Sequence, residues 1–247
     1  AKVMRLKDVY LPRLVTSETE QSVSVALNGK RIPATSGLNW GKEFAYATFS
    51  FDVRGVERGK KYYLVAETGG TEHLISLNGR KIGLIDKLKN ERDGIFRIHE
   101  RVLLDGLKNG DKVDVEAYYS HTFPGTMPYE EPSTFSMDGL YPVRPFNKIS
   151  LVTLWEPLAE FLTNLDLLNK RYLSQNENTF ARAETEKAFV ELFKILPMQA
   201  SLLTERELNL ANEFLTKHLS SPAIKPFVGI IGHSHLDTAW LWKVEET

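Results

Sequence analysis

Three side chains able to bind a metal recur at alternate positions in the C-terminal part of this 247-residue chain: His233, His235 and Asp237. Two tryptophans follow, Trp240 and Trp242. In extended backbone the side chains alternate with period two, so all three groups point the same way. The preceding run, Phe227-Val228-Gly229-Ile230-Ile231-Gly232, is apolar on both faces and predicts a buried strand of a parallel sheet. Three ligand-type groups then line the C-terminal end of that strand, the end at which α/β barrels carry their active sites. Imidazole with carboxylate suits a borderline divalent ion, zinc first. Indoles beside polar groups suit a sugar subsite, because the apolar face of a pyranose packs on the ring. Taken alone, His-x-His-x-Asp also fits histidines hydrogen-bonded for structural reasons. The order of buried strand, ligands and indoles favours a site.

The elements that must position this segment fall into three stretches. Residues 1–150 read as β. Gln21–Leu27 and Ala45–Val53 alternate between apolar and polar, and Tyr62–Glu67, Glu72–Leu77, Lys81–Ile85 and Lys112–Tyr119 are further strands. In the last, Val113, Val115, Ala117 and Tyr119 share a face. Asn28-Gly29 and Asn78-Gly79 are type I′ hairpin signals, since both residue types tolerate positive φ. Short alternating strands between turns predict an antiparallel β-sandwich of jelly-roll type. His121–Pro145, rich in Pro, Gly, Ser and Thr, reads as a long loop closing it.

Residues 151–221 read as a helical connector. Leu158, Phe161, Leu162, Leu165 and Leu168 follow three-four spacing, Phe180–Leu196 is a second helix closed by Pro197, and Thr204 with Glu207 forms a capping box before a third. The third carries Leu208, Leu210, Ala211, Phe214 and Leu215 as its apolar residues. Residues 222–247 begin with the linker-like Pro222-Ala223-Ile224-Lys225-Pro226 and end in the motif. The fold class expected is therefore α+β: a sandwich, a helical segment, and the first strand of a truncated α/β barrel.

Bulk properties narrow the function classes. Net charge is −1, so no overall basic field points to nucleic acid or to an anionic membrane. No run of about eighteen apolar residues spans a bilayer. Cysteine is absent, which excludes disulfides, thiolate metal sites and cysteine nucleophiles. No Asn-x-Ser/Thr sequon occurs, and Ala1–Tyr10 lacks the apolar core of a secretion signal. These absences fit a cytoplasmic protein.

Gly232-His233-Ser234-His235-Leu236-Asp237-Thr238-Ala239-Trp240-Leu241-Trp242, followed by Glu246-Thr247, closely resembles the first-strand signature of the glycoside hydrolase family 38 α-mannosidases. Lys243 departs from it, standing where proline is common. The order of β domain, helical segment and motif is similar to the cytosolic and bacterial members, and the hairpin His73–Ile85 resembles the Leu-Asn-Gly hairpin of galactose-binding-like domains. The resemblance implies zinc bound by His235 and Asp237, with His233 supporting the site, and Trp240 stacking on the mannose to be cleaved. It implies two further ligands, one doubling as the nucleophile, and an acid/base carboxylate, in retaining hydrolysis of α-mannosides in glycans or oligosaccharides.

All of those further groups are expected C-terminal to the motif, and a barrel needs about 200 residues or more. The chain is thus expected to be the N-terminal portion of the enzyme, with no catalytic residue of its own and inactive alone. An unpaired apolar strand at Phe227–Ile231 is expected to fold back or to pair with another chain, making a homo-oligomer one expectation. Two other classes compete. Metal-dependent hydrolases of the amidohydrolase or phosphoesterase type also place His-x-His after a first barrel strand, but lack the Thr-Ala-Trp-Leu-Trp continuation. Residues 1–150 also fit a carbohydrate-binding or purely structural module, with Trp40, Tyr129 or Tyr141 as exposed sugar-stacking aromatics.

Overall fold

The structure, a computed structural model, describes residues 6, 8–27, 29–41, 45–86, 100–119, 145–197 and 199–220. It divides into two compact units. The described residues within 1–18 and 153–226 form one, and those within 19–90 and 99–152 form the other.

Strands are β1 (Val15–Glu20), β2 (Ser24–Leu27), β3 (Lys30–Pro33), β4 (Ala45–Asp52), β5 (Tyr62–Glu67), β6 (Glu72–Leu77), β7 (Arg80–Asp86), β8 (Val102–Leu104), β9 (Lys112–Tyr119) and β10 (Lys148–Leu154). They make two sheets, ordered β1-β10-β5-β8 and β3-β2-β4-β9-β6-β7. The pairings of β10 with β5, β5 with β8, and every neighbour within the six-stranded sheet are antiparallel. Alternation explains why the two sheets share one core. In β9, Val113, Val115, Ala117 and Tyr119 are buried, while Lys112 and Glu116 are exposed. Val25, Phe49, Phe51, Ile75 and Val115 from the larger sheet join Leu64, Leu104, Ile149 and Leu151 from the smaller in one apolar cluster. Full burial of a side chain such as Phe49 contributes roughly 1.5–3 kcal/mol.

The second Asn-Gly hairpin forms as its sequence predicts. Leu77 pairs with Arg80, and Asn78 and Gly79 have φ of 50° and 80°, the positive values a type I′ turn requires. The Asn78 side chain then anchors the turn: its Nδ2 donates to Asp111 Oδ1 at 3.0 Å and its Oδ1 accepts from the Lys112 amide at 2.9 Å. The Asn78 Nδ2 bond, with that from the Lys108 amide, holds the Asp111 carboxyl below the usual carboxylate range. In the first hairpin, Leu27 pairs with Lys30 across Asn28 and Gly29; Asn28 itself lies outside the described residues.

The helices are α1 (Glu156–Ser174), α2 (Phe180–Ile195) and α3 (Glu205–Leu219). Pro157 stands in the first turn of α1, where its missing N–H costs nothing. Thr179 caps α2 by accepting from the Arg182 amide at 3.2 Å. At α3, Glu207 accepts from the Thr204 amide at 3.0 Å, as the capping-box spacing predicts, and its bond to the Thr204 hydroxyl lowers its carboxyl pKa. Leu158, Phe161, Leu162, Leu165 and Leu168 are all buried, with Ala188 and Leu192 of α2 and Leu208, Ala211 and Leu215 of α3. Leu210 is exposed, against the apolar stripe expected of α3.

Three strands are not marked by the sequence pattern: β1, the three-residue β8, and β10. β1 reads Val-Thr-Ser-Glu-Thr-Glu and is exposed at nearly every position, so no apolar periodicity marks it. β10 reads Lys-Ile-Ser-Leu-Val-Thr-Leu, is buried at four successive positions and lies between β1 and β5. A strand covered on both faces shows a continuous run instead of alternation, and its last residues, 151–154, fall in the stretch expected to be helical. Within β10, Ser150 is fully buried and its hydroxyl has no hydrogen-bond partner among the described residues.

Candidate functional site

The residues singled out for chemistry, His233, His235, Asp237 and Trp240, lie outside the described residues, as do Tyr129 and Tyr141. Among the described residues no group of three His, Cys, Asp or Glu could hold a metal ion. None of the described helices is long and apolar enough to cross a membrane.

Trp40 is described, and it corrects the expectation of an exposed sugar-stacking indole. It is only 6% exposed. Its ring meets Phe49 edge-on at 5.6 Å, and Phe49 in turn stacks on Phe146 at 5.2 Å. Its Nε1–H donates to the Thr68 carbonyl at 2.6 Å. An indole packed on an apolar core, with its one polar atom satisfied by backbone, is a structural group.

The same Thr68 organises a buried polar cluster. Its Oγ1 lies 2.6 Å from His73 Nε2 and accepts from the Gly70 amide at 3.0 Å. His73 Nδ1 lies 3.3 Å from the Ile85 carbonyl. A carbonyl only accepts, so Nδ1 carries the proton and Nε2 accepts from the Thr68 hydroxyl; this tautomer is assigned from the bonding pattern. Gly70 suits the close approach: a Cβ there would sit 3.0 Å from the Tyr118 carbonyl and 3.2 Å from His73 Nε2, so its neighbours would have to shift. With both ring nitrogens engaged, His73 ties the strand β6 to β7 and to the Thr68–Gly70 turn.

The outward face of the six-stranded sheet is different in kind. Tyr46 pairs with Tyr118 and Tyr118 with Glu72; one row along, Thr48 pairs with Glu116, Glu116 with Leu74 and Leu74 with Leu84. The two tyrosine rings stack at 4.4 Å with 26° between their planes. Tyr46 is 69% exposed and Leu84 59%. These side chains line a shallow depression of about 580 Å³. Glu116 is bridged to Lys81 across the same face. The sequence carried a signal for this face: the alternation that buries Ala47, Phe49, Val115 and Ala117 turns Tyr46 and Tyr118 outward. Two aromatics at solvent-facing positions of neighbouring strands become a pair only once β4 is known to lie beside β9.

No family model matches the chain, and no curated protein matches it either. Among solved structures, part of the chain is similar to a rhamnosidase from Novosphingobium sp. PP1Y, with a TM-score of 0.37 and 14% sequence identity. The match covers 56% of this chain and 15% of that one.

Proposed function

We propose that the chain belongs to a zinc-dependent retaining α-mannosidase of glycoside hydrolase family 38, and that residues 222–247 open its catalytic α/β barrel. The observation that carries this reading is the run from Gly232 to Trp242 with Glu246-Thr247. It sets imidazole, carboxylate and indole in the order the family's signature has, directly after an apolar run of strand length. The donor chemistry of His235 and Asp237 fits zinc. When bound, zinc supplies a Lewis-acid hold on sugar hydroxyls.

In this reading His235 and Asp237 are two of four zinc ligands, and His233 positions its neighbours. Trp240 offers a flat apolar face to the mannose ring, which favours one orientation of the sugar and keeps water from that side. The nucleophile and the acid/base belong to segments beyond the motif. The β unit braces the barrel, and the substrate is a mannose-containing oligosaccharide.

The test uses the gene product that contains these 247 residues. It is expected to hydrolyse an aryl α-mannoside with retention of anomeric configuration and to carry stoichiometric zinc by elemental analysis. Asp237→Ala should abolish both, and Trp240→Ala should lose turnover while keeping the metal. A metal-free protein cleaving the same substrate, or an Asp237→Ala variant with full zinc, sinks the assignment.

A further inference from the structure

We propose that the outward face of the six-stranded sheet binds a neutral oligosaccharide, with the Tyr46–Tyr118 stack as its platform. Four observations converge there. Tyr46 is 69% exposed, so its ring is reachable from solvent. The two rings stack 4.4 Å apart with 26° between planes, so each covers one face of the other and the outer faces form the wall offered to a ligand. Carboxylates flank it at fixed positions: Glu72 pairs with Tyr118 in register, and Glu116 pairs with Thr48 and Leu74 on the next row. Finally, the wall and the carboxylates border one depression of about 580 Å³, room for a few pyranose units.

The alternation of groups selects the occupant. A pyranose presents C–H patches on its faces and hydroxyls around its rim. The ring faces take the C–H patches. Glu72 and Glu116 accept from the rim hydroxyls as charge-assisted hydrogen bonds, and the Thr48 hydroxyl both donates and accepts. Lys81, bridged to Glu116, holds that carboxylate over the sheet. An anionic lipid surface would be repelled by the two carboxylates. A docked amphipathic helix needs a continuous aliphatic groove, whereas Leu74 and Leu84 are separated from the tyrosines by Glu116 and Glu72. The inference does not rest on the mannosidase reading, because none of its residues belongs to the motif at 233–247.

The test is saturation-transfer NMR on the 247-residue chain with three trisaccharides as probes: α-1,6-mannotriose, maltotriose and cellotriose. At least one is expected to receive saturation at its ring C–H protons, and the Tyr46 and Tyr118 ring signals should shift as it is added. Tyr46→Ala should weaken binding about tenfold or more, and Tyr46→Phe, which keeps the ring face, should stay within about twofold. Glu116→Gln should weaken it by a smaller factor. Ring-signal shifts in the unmodified chain decide the matter even if a variant misfolds. Absence of transfer to all three sugars overturns the inference. So does binding that survives Tyr46→Ala in a protein with an unchanged melting profile, or saturation of a poly-lysine probe by this face with none of the sugars. Loss of zinc through His235→Ala should leave the sugar signal intact, so failure of the metal site and failure of this face are read separately.

Discussion

Replacing Thr68 with valine tests whether the buried polar cluster is a stabilising device. Valine keeps the shape and the branching at Cβ and removes one hydroxyl. Thr68 is fully buried, so water cannot substitute without rearrangement. The change takes a hydrogen-bond donor from His73 Nε2 and an acceptor from the Gly70 amide, bonds of 2.6 and 3.0 Å. The Trp40 bond to the Thr68 carbonyl is untouched. A buried group deprived of its partner costs about 1–3 kcal/mol, so two such groups cost about 2–6 kcal/mol. For a chain of this size that lowers the melting temperature by the order of 10 °C. Urea unfolding followed by tryptophan fluorescence measures the loss, and far-UV circular dichroism checks that the strands persist. Thr68→Ser restores the hydroxyl and should recover most of it. The double variant Thr68→Val with His73→Leu should cost less than the two single changes summed, because neither partner is then left facing an apolar group. A Thr68→Val variant within about 0.5 kcal/mol of the parent, or a serine variant as unstable as the valine one, would refute the reasoning.

Three other outcomes follow from features of the same kind. Ser150→Ala removes a buried hydroxyl without a hydrogen-bond partner among the described residues; it should leave stability unchanged or raise it by about 1 kcal/mol in a denaturant titration. Burial pushes the Tyr10 phenol up to about 12, with Arg13 opposing the shift and Glu207 adding to it. A folded-state pKa above the unfolded value of about 10 means this stabilisation is complete below pH 10 and is lost as pH rises through about 12. Helical melting should therefore steepen in that window, and Tyr10→Phe should flatten it. With two of the four ligands that the family resemblance assigns, the 247-residue chain should bind zinc reversibly and release it to a chelator; retention of one equivalent through dialysis against EDTA would contradict the ligand assignment.

How legible the fold was depended on what each residue faces. Where one side of an element meets a core and the other meets water, period alone placed the side chains. Val113 to Tyr119 and Leu158 to Leu168 fall where alternation and three-four spacing put them. Where both sides meet the same surroundings, period vanishes. β1 is exposed at nearly every position and β10 is buried at four in succession, so neither shows a period of two. Trp40 shows a second limit. A tryptophan between Asn39 and Gly41 has the local sequence of a surface loop, and only its distant neighbours, Phe49 and Phe146, make it a core residue. Tyr46 is the converse: its exposure was implied by the register of Ala47 and Phe49, but its significance depended on Tyr118, 72 positions away in sequence. The proposed metal motif can be read from sequence because its donors are local, three within five residues.

The helical unit takes its first residues and its last from opposite ends of the described chain. Leu6, Tyr10 and Leu14 lie in the same apolar cluster as Leu165 and Leu208. Tyr10 donates to the Pro197 carbonyl, Arg13 to the Leu203 carbonyl at 2.9 Å, and the Trp155 amide to the Leu14 carbonyl at 2.8 Å. Ribosomal synthesis makes that an ordering constraint. Arg13 emerges 190 positions before its partner Leu203, an interval on the order of 10–40 s at about 5–20 residues per second. The sandwich residues are complete within that interval, so the sandwich can form while the N-terminal segment still waits, its apolar side chains uncovered. A nascent chain with residue 154, the end of β10, clear of the ribosome should therefore carry a folded sandwich and a leading segment that chaperones can grip, and only the arrival of α3 withdraws it from them.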